Sequence, residues 1–258
     1  MSVLWTRINL QTAPELSHVC GRFVQASSPA LLLAQFGAFE VVTDLADPDY
    51  NVTPRRDVTV VLNTPAGERV IDRMRWGLVP RWAKDKAIGD RLINARSETV
   101  KEKPSFKSAY ASRRCIIPVD GFYEWRAVDG QRTKQPVFIH ANTGQPIAVA
   151  GIWESWLDPS DQSEANTPLR TCAILTTQAN STIEPIHNRM PVILDEQNWA
   201  AWLDTSTVMK ELDGLLAPAP DDVVAWHEVS TAVNNTRNND STLMLAMAPN
   251  EEASETLF

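Results

Sequence analysis

Ile147-Ala148-Val149-Ala150 is a short apolar run bounded by Pro, Gly and Asn, and runs of the same kind recur along the chain. They are Val58-Thr59-Val60-Val61-Leu62, Cys115-Ile116-Ile117, Val137-Phe138-Ile139, Cys172-Ala173-Ile174-Leu175 and, near the end, Val223-Val224-Ala225-Trp226-His227-Glu228-Val229. Short β-branched and apolar runs between turn-forming residues are typical of β-strands. The sequence therefore predicts a strand-rich fold, and the polar stretch 159–168 between two runs is expected to be a hairpin or surface loop.

Two helices are predicted among these strands. Ser28 and Pro29 form a helix-start signal, and Gly37 ends the apolar segment that follows. Farther along, Asp195 is expected to cap a helix whose Trp199 and Trp202 share one face with Leu203, a pattern typical of core packing. Strands with a few peripheral helices indicate one mixed α+β domain.

Composition limits the function classes. The chain has 258 residues, of which 24 are Lys or Arg and 32 are Asp or Glu, giving a net charge of −8. This total excludes a uniformly basic nucleic-acid coat. The three cysteines lie far apart with no CxxC, so we expect neither a disulfide framework nor a zinc site. No apolar run resembles a signal peptide or membrane span, and we expect a soluble cytoplasmic protein.

The charge is unevenly distributed. Residues 20–140 hold 19 Lys and Arg against 14 Asp and Glu, whereas residues 141–258 hold 4 against 17. A balance of +5 in one part and −13 in the other predicts a polarised molecule. We expect a local basic groove formed by residues 20–140, with a strongly acidic remainder.

Four short segments carry residues whose chemistry a packing role does not explain. They are Cys20-Gly21-Arg22-Phe23, Ile93-Asn94-Ala95-Arg96-Ser97-Glu98, Gly121-Phe122-Tyr123-Glu124-Trp125 and Ile186-His187-Asn188-Arg189-Met190-Pro191. Cys20, Asn94, Glu124 and His187 would supply a nucleophile, an orienting amide, a proton shuttle and a second acid or base. Taken singly, a turn-forming Asn, a structural His and an Arg-paired Glu are common alternatives.

These segments, with three others in the same order, resemble the SRAP family, the SOS response-associated peptidases or abasic-site processing proteins. The other three are Tyr50-Asn51-Val52-Thr53-Pro54, Trp76-Gly77-Leu78-Val79-Pro80-Arg81-Trp82 and Arg113-Arg114-Cys115-Ile116-Ile117-Pro118. The resemblance implies an α+β domain with a β-barrel-like core and peripheral helices over residues 20–240. An extension, 1–19, would precede it, and an acidic tail, 241–258, would follow it.

The resemblance also implies a reaction, in which an abasic site in single-stranded DNA is captured covalently by an N-terminal cysteine. The α-amine of Cys20 would condense with the sugar aldehyde, and its thiol would close a thiazolidine. By the same resemblance Glu124 is the proton shuttle, His187 assists sugar-ring opening and reversal, and Asn94 fixes the reacting geometry. No metal or organic cofactor is implied, and we expect a monomer that associates with the nucleoid when bound to DNA.

The expected DNA contacts lie beside these positions. Arg22, Arg96 and Arg189 would clamp phosphates, with salt bridges to Glu98 or Glu124 as the alternative. Two tryptophans would stack on bases next to the lesion, with burial in the core as the alternative. These residues are Trp76 and Trp82, and Asn51 is assigned to the same DNA-binding set.

One departure bears on the chemistry, because 19 residues precede Cys20 and an acylated amine cannot form an imine. A start at Val19 from a GTG codon, proteolytic removal of residues 1–19, and loss of cross-linking are the three explanations. Two other functions stay open. One is a cysteine peptidase that uses Cys20, His187 and Glu124, also on its own Val19-Cys20 bond. The other is a noncatalytic module that binds single-stranded DNA.

Overall fold

A computed structural model describes residues 20–163 and 165–247, which form two β-sheets with short helices around them. The strands are β1 (Phe23–Gln25), β2 (Glu40–Val41), β3 (Asp49–Val52), β4 (Asp57–Asn63), β5 (Arg69–Trp76), β6 (Asn94–Arg96), β7 (Arg114–Val119), β8 (Gly121–Arg126), β9 (Gln135–Ala141), β10 (Ile147–Trp156), β11 (Leu169–Gln178), β12 (Arg189–Pro191) and β13 (Val224–Glu228). The helices are α1 (Pro29–Phe36), α2 (Lys107–Ser112), α3 (Trp199–Leu203) and α4 (Met209–Gly214), and 3₁₀ turns cover Lys86–Arg91, Glu196–Asn198, Thr231–Asn234 and Ser241–Met244. Each predicted apolar run lies within or overlaps a strand.

The larger sheet closes on itself. Its strands run in the order β12-β11-β10-β7-β4-β5-β2, and β11 also pairs in parallel with β5 through Cys172 and Trp76. This pairing joins β11, β10, β7, β4 and β5 into a closed five-stranded barrel. The prediction of an α+β domain with a barrel-like core is confirmed. The strands β10 and β11 are antiparallel, so the polar stretch between them is the loop of a hairpin, as predicted.

The second sheet, in the order β13-β9-β8-β1-β3, packs against this barrel. The principal apolar cluster combines side chains from both sheets, among them Phe23 and Phe122 with Trp76 and Ile174. The rings of Phe23 and Trp76 have centroids 4.6 Å apart. Cys20, three residues before β1, is buried in the same cluster.

The helices cover the outward face of the barrel. Helix α1 begins as predicted, since the Ser28 hydroxyl accepts the Leu31 N–H at 3.3 Å, and it ends where Gly37 adopts φ 58°. The Phe36 ring lies 4.6 Å from that of Trp199, so α1 and α3 share one apolar cluster.

The segment after Asp195 differs from the single capped helix that was predicted. A 3₁₀ turn, Glu196–Asn198, precedes α3, and the Asp195 side chain makes no capping hydrogen bond. The predicted apolar face is nevertheless confirmed, because Trp199 and Trp202 are buried with Leu203. The two tryptophan indoles donate to the carbonyls of Leu194 and Cys115, which anchors this short element without a side-chain cap.

The ordered domain extends past the predicted boundary at residue 240. Asp240 caps the turn Ser241–Met244 through the Thr242 N–H at 2.9 Å, and Leu243 is buried against Val229. The predicted tail is therefore wrong for residues 241–247, which complete an apolar cluster. The predicted extension, 1–19, and residues 248–258 lie outside the described residues. Within the described ranges, no helix has the length and apolar character needed to cross a membrane.

Candidate functional site

The strand pair β1 and β8 brings Cys20 to Glu124. The two strands are antiparallel with Phe23 opposite Phe122, and the Tyr123 N–H donates to the Arg22 carbonyl at 2.9 Å. Continued toward the start of β1, this register places the Cys20 N–H 2.5 Å from Glu124 Oε1, a strong hydrogen bond to a carboxyl group. Residues 104 positions apart in sequence thus meet at the site.

Burial sets the acid–base properties of this pair. Cys20 is 1% exposed and Glu124 is 5% exposed. Burial raises the pKa of Glu124 to about 7, although the Cys20 N–H bond and the charge of Lys134 lower it. Burial, and then the charge of Glu124, raise the pKa of the Cys20 thiol well above its usual range. Glu124 can therefore take or give a proton near neutral pH beside a thiol that stays protonated until a base removes its proton.

Strand β11 gathers the other two segments. On one side β6 runs parallel to it, with Asn94 opposite Ile174, and on the other side Arg189 of β12 pairs with Gln178. The residues before Asn94 and His187 are Ile93 and Ile186, and both belong to the apolar cluster that contains Cys20. Residues of all four predicted catalytic segments thus belong to one apolar cluster, and the roles of the four residues stay predictions.

His187 is held as a neutral hydrogen-bond donor. Its Nδ1 atom accepts the Arg189 N–H at 3.0 Å, so the proton of the neutral ring lies on Nε2. Burial and the charge of Lys134 lower the pKa of His187, and the Arg189 N–H bond only partly opposes them. At neutral pH the side chain therefore presents an uncharged Nε2–H.

Of the three arginines predicted to contact phosphates, Arg189 and Arg22 form hydrogen bonds to other groups of the protein. Arg189 bonds Glu98 through two nitrogens, at 2.9 and 3.0 Å, which is the salt bridge considered above as the alternative. Arg22 donates from Nη1 to Asn51 Oδ1 at 2.6 Å and to the Val233 carbonyl at 2.8 Å. Arg96 has an exposed side chain in β6.

Trp76 and Asn51, both assigned to the predicted DNA-binding set, are buried. Trp76 is fully buried, and its indole donates to the Ile93 carbonyl at 3.0 Å. Asn51 is 3% exposed, and its amide donates to three backbone carbonyls, those of Val233, Asn235 and Asn238. Trp76 is thus packed in the core and Asn51 is bonded to a loop, and their part in DNA binding stays a prediction.

Trp82 is exposed, at 59%, and its indole donates to the Pro104 carbonyl at 3.5 Å. Its neighbour Ala83 packs against Trp156 and Leu169, at the start of β11, whereas Asn94 pairs nearer the end of that strand. Asn94 pairs with Ile174, five residues along from Leu169, which is about 16 Å at 3.3 Å per residue. Stacking of Trp82 on a base stays a prediction.

Lys134 is a residue that the sequence motifs did not indicate. It lies in an exposed position just before β9, and its charge lowers the pKa of both Glu124 and His187. Nothing in its polar surroundings, Gly-Gln-Arg-Thr-Lys, distinguishes it from a solvated loop lysine. Across residues 20–163 and 165–247, no group of three or more His, Cys, Asp or Glu side chains is arranged to hold a metal ion.

Comparisons with known proteins identify the family of this chain. The sequence model of the family described as SOS response associated peptidase (SRAP) matches residues 19–236. The abasic site processing protein YoqW of Bacillus subtilis is 40% identical over 228 residues, covering 88% of this chain and 99% of that protein. The rat abasic site processing protein HMCES is 33% identical, covering 74% and 63%. A crystal structure of a Bacteroides thetaiotaomicron protein superposes with TM-score 0.79 at 25% identity, covering 89% and 100%. The chain belongs to the SRAP family.

Proposed function

We propose that this chain processes abasic sites in DNA by forming a covalent bond between the lesion and Cys20. The observation that carries the proposal is the 2.5 Å contact between the Cys20 nitrogen and Glu124 Oε1. An abasic deoxyribose opens to an aldehyde, and a cysteine whose amine is free offers that aldehyde both nitrogen and sulfur. The names of the relatives YoqW and HMCES support the choice of substrate.

The steps follow from the positions of the groups. The free amine of Cys20 adds to the aldehyde carbon, and Glu124 donates the proton with which the hydroxyl leaves as water, forming an imine. The thiol then adds to the imine carbon, its proton passes to the nitrogen, and a five-membered thiazolidine closes. A carboxyl group with a pKa of about 7 suits both proton transfers at cellular pH.

His187 and Asn94 act on the sugar in this proposal. The uncharged Nε2–H of His187 donates to the ring oxygen as the sugar opens, which it can do without a change in protonation of Nδ1. Asn94 holds the opened sugar through its amide. The DNA is single-stranded, Arg96 contributes a phosphate contact, and the protein acts as a monomer.

A second activity, self-cleavage before Cys20, is favoured by the backbone there. Cys20 has φ 51°, a left-handed conformation that strains a non-glycine residue, and Glu124 contacts both its nitrogen and its thiol. The thiol would attack the Val19 carbonyl while Glu124 takes its proton and returns it to the leaving nitrogen. Water would hydrolyse the resulting thioester, releasing residues 1–19 with a carboxyl end and leaving a free Cys20 amine and thiol.

The test begins with protein whose amine at Cys20 is free, as verified by mass spectrometry. The family match spans residues 19–236, so we expect this form to fold. It is incubated with single-stranded oligonucleotide carrying an abasic site and run on a denaturing gel. A shifted band is expected, retained in Cys172→Ala and lost in Cys20→Ala.

Each other outcome selects another function. Absence of a band despite a free Cys20 amine overturns the proposal. Salt-sensitive binding without a band identifies the noncatalytic DNA-binding module. In the full chain, release of residues 1–19 that stops in Glu124→Gln supports self-cleavage, and an intact Val19-Cys20 bond after prolonged incubation contradicts it.

A further inference from the structure

Residues 233–239, which we name the clasp loop, form hydrogen bonds to the strands that carry the reacting residues. The buried amide of Asn51 donates to its carbonyls at Val233, Asn235 and Asn238, at 3.3, 3.2 and 2.9 Å. A side chain with three such bonds to one loop fixes the loop's conformation, because the buried carbonyls have lost their bonds to water.

The clasp loop also holds Arg22, two residues after Cys20. One guanidinium nitrogen of Arg22 bridges Asn51 Oδ1 and the Val233 carbonyl, at 2.6 and 2.8 Å. The Arg22 guanidinium lies 5.7 Å from the centre of the Trp125 ring, within the range of a cation–π contact. Burial lowers the pKa of Arg22, which is consistent with a guanidinium that is partly removed from solvent.

On the other strand the clasp loop holds Trp125, the residue after Glu124. The Trp125 indole donates to Asn234 Oδ1 at 2.7 Å. A further bond joins the loop to β3, where the Tyr50 N–H donates to Asn239 Oδ1 at 2.6 Å. The loop therefore bonds the neighbours of both reacting residues at once.

From these contacts we propose that the clasp loop positions Cys20 against Glu124, with Asn51 and Asn234 as positioning residues for the cross-linking reaction. The proposal rests on the proposed function. Neither residue touches the reacting atoms. Asn51 acts through Arg22 on β1, Asn234 acts through Trp125 on β8, and the distance between the Cys20 nitrogen and Glu124 Oε1 depends on how these two strands are aligned.

The test uses protein with a free Cys20 amine, whose folding was argued above. Asn234→Ala removes the bond to Trp125 from an exposed loop position, and Asn234→Asp keeps an acceptor oxygen there. Asn51→Asp keeps the oxygen that accepts from Arg22 and replaces the three amide bonds to the loop with a carboxylate facing carbonyls. Thr236→Ala, an exposed change in the same loop, is the matched control. The measurements are the cross-linking rate from pH 5 to 9 and affinity for intact single-stranded DNA.

Asn234→Ala is expected to slow cross-linking about fivefold, in line with the loss of one net hydrogen bond. Asn51→Asp should slow it roughly 10- to 100-fold, the effect of misplacing reacting groups by about 1 Å. Asn234→Asp and Thr236→Ala should react at the unaltered rate, and DNA affinity should not change. In the slowed variants the pH midpoint should rise, because Glu124 loses the Cys20 bond that lowers its pKa.

The results separate this proposal from the one on which it rests. Cross-linking by the unaltered protein together with normal rates in Asn234→Ala overturns the positioning role alone. Slowing in Asn234→Ala without a shift of the pH midpoint, or equal slowing in Asn234→Asp, also overturns it. No cross-linking by the unaltered protein overturns both proposals. If Asn51→Asp does not fold, the Asn234 pair still decides the outcome.

Discussion

Glu124→Gln should make the full chain more stable at alkaline pH, although it removes a residue proposed to be essential for the reaction. Glutamine has the shape of glutamate and can still accept the Cys20 N–H, but it carries no charge to bury. Burial raises the pKa of Glu124 from 4.5 to about 7. A folded-state pKa above the unfolded value means that the folded protein binds more protons between these two pH values. The protonated Glu124 carboxyl therefore makes its full contribution to the free energy of unfolding below about pH 4.5, and this contribution is lost as the pH rises through 7.

The size of the effect follows from the shift. At about 1.4 kcal/mol per pKa unit, the shift corresponds to roughly 3 kcal/mol of unfolding free energy above pH 8. For a domain of this size that is about 6–12 °C in Tm. The assay is urea unfolding of both proteins from pH 4 to 9. The difference in unfolding free energy between the two proteins should be small at pH 4 and reach its full value by pH 8. A difference that stays constant with pH, or a variant that is less stable than the unaltered protein at pH 8, would refute the reasoning.

Three further predictions concern the same region. His187→Gln keeps an N–H donor and should retain much of the cross-linking rate, whereas His187→Phe should lower it roughly 100-fold; equal rates in a gel time course would contradict the donor role. Glu98→Gln removes the carboxylate that neutralises Arg189, whose guanidinium keeps its bond to the Thr176 carbonyl, so the slope of log affinity against log salt for single-stranded DNA should steepen by about one, and an unchanged slope would show that Arg189 meets no phosphate. Gly121→Ala would place a Cβ 2.3 Å from Phe138 Cζ and 2.6 Å from the Ile139 carbonyl, so we expect thermal unfolding to show a loss above about 2 kcal/mol, and a wild-type Tm would contradict this.

The strands and the first helix could be predicted from sequence because their signals are local. An apolar run between turn-forming residues identifies β7 or β11 without knowledge of its partners, and Ser28 with Gly37 delimits α1. The end of the domain could not be predicted in this way. Leu243 is buried by Val229 and Val233. The apolar residues of the stretch 241–247, Ser-Thr-Leu-Met-Leu-Ala-Met, signal burial, but the composition does not identify the residues that they contact.

For the site residues too, the sequence indicates the residue types but not the positions of the side chains. A family motif shows which residue types recur together, but it does not show which way a side chain points. Trp76 and Trp82 share one motif, yet the first pairs with β11 in the core and the second is exposed. Asn51 lies in a motif as well, and its neighbours in space are residues more than 180 positions away. Contacts of that sequence separation are set by the fold.

Charge counting has a similar limit. The +5 balance of residues 20–140 suggested a basic groove, and the groove stays a prediction. Several arginines of that part are paired within the fold: Arg55 and Arg75 with Asp90, and Arg81 and Arg113 with Glu154. An ion-paired guanidinium attracts phosphate less than an unpaired one, so net charge overstates the positive field available to DNA. A phosphate contact by the exposed Arg96 stays a prediction.

The charge of Lys134 acts on the protonation of both Glu124 and His187. Burial is what brings the pKa of Glu124 close to cellular pH, and deeper burial alone would keep the carboxyl protonated and unable to accept a proton. The charge of Lys134 opposes this rise at Glu124, and at His187 it favours the neutral ring that donates from Nε2. One exposed cation thus favours a charged carboxylate and an uncharged imidazole together. Lys134→Gln should raise the pKa of both groups, moving the pH midpoint of cross-linking upward, whereas Lys134→Arg should not; a midpoint that is the same in both variants would remove Lys134 from this account.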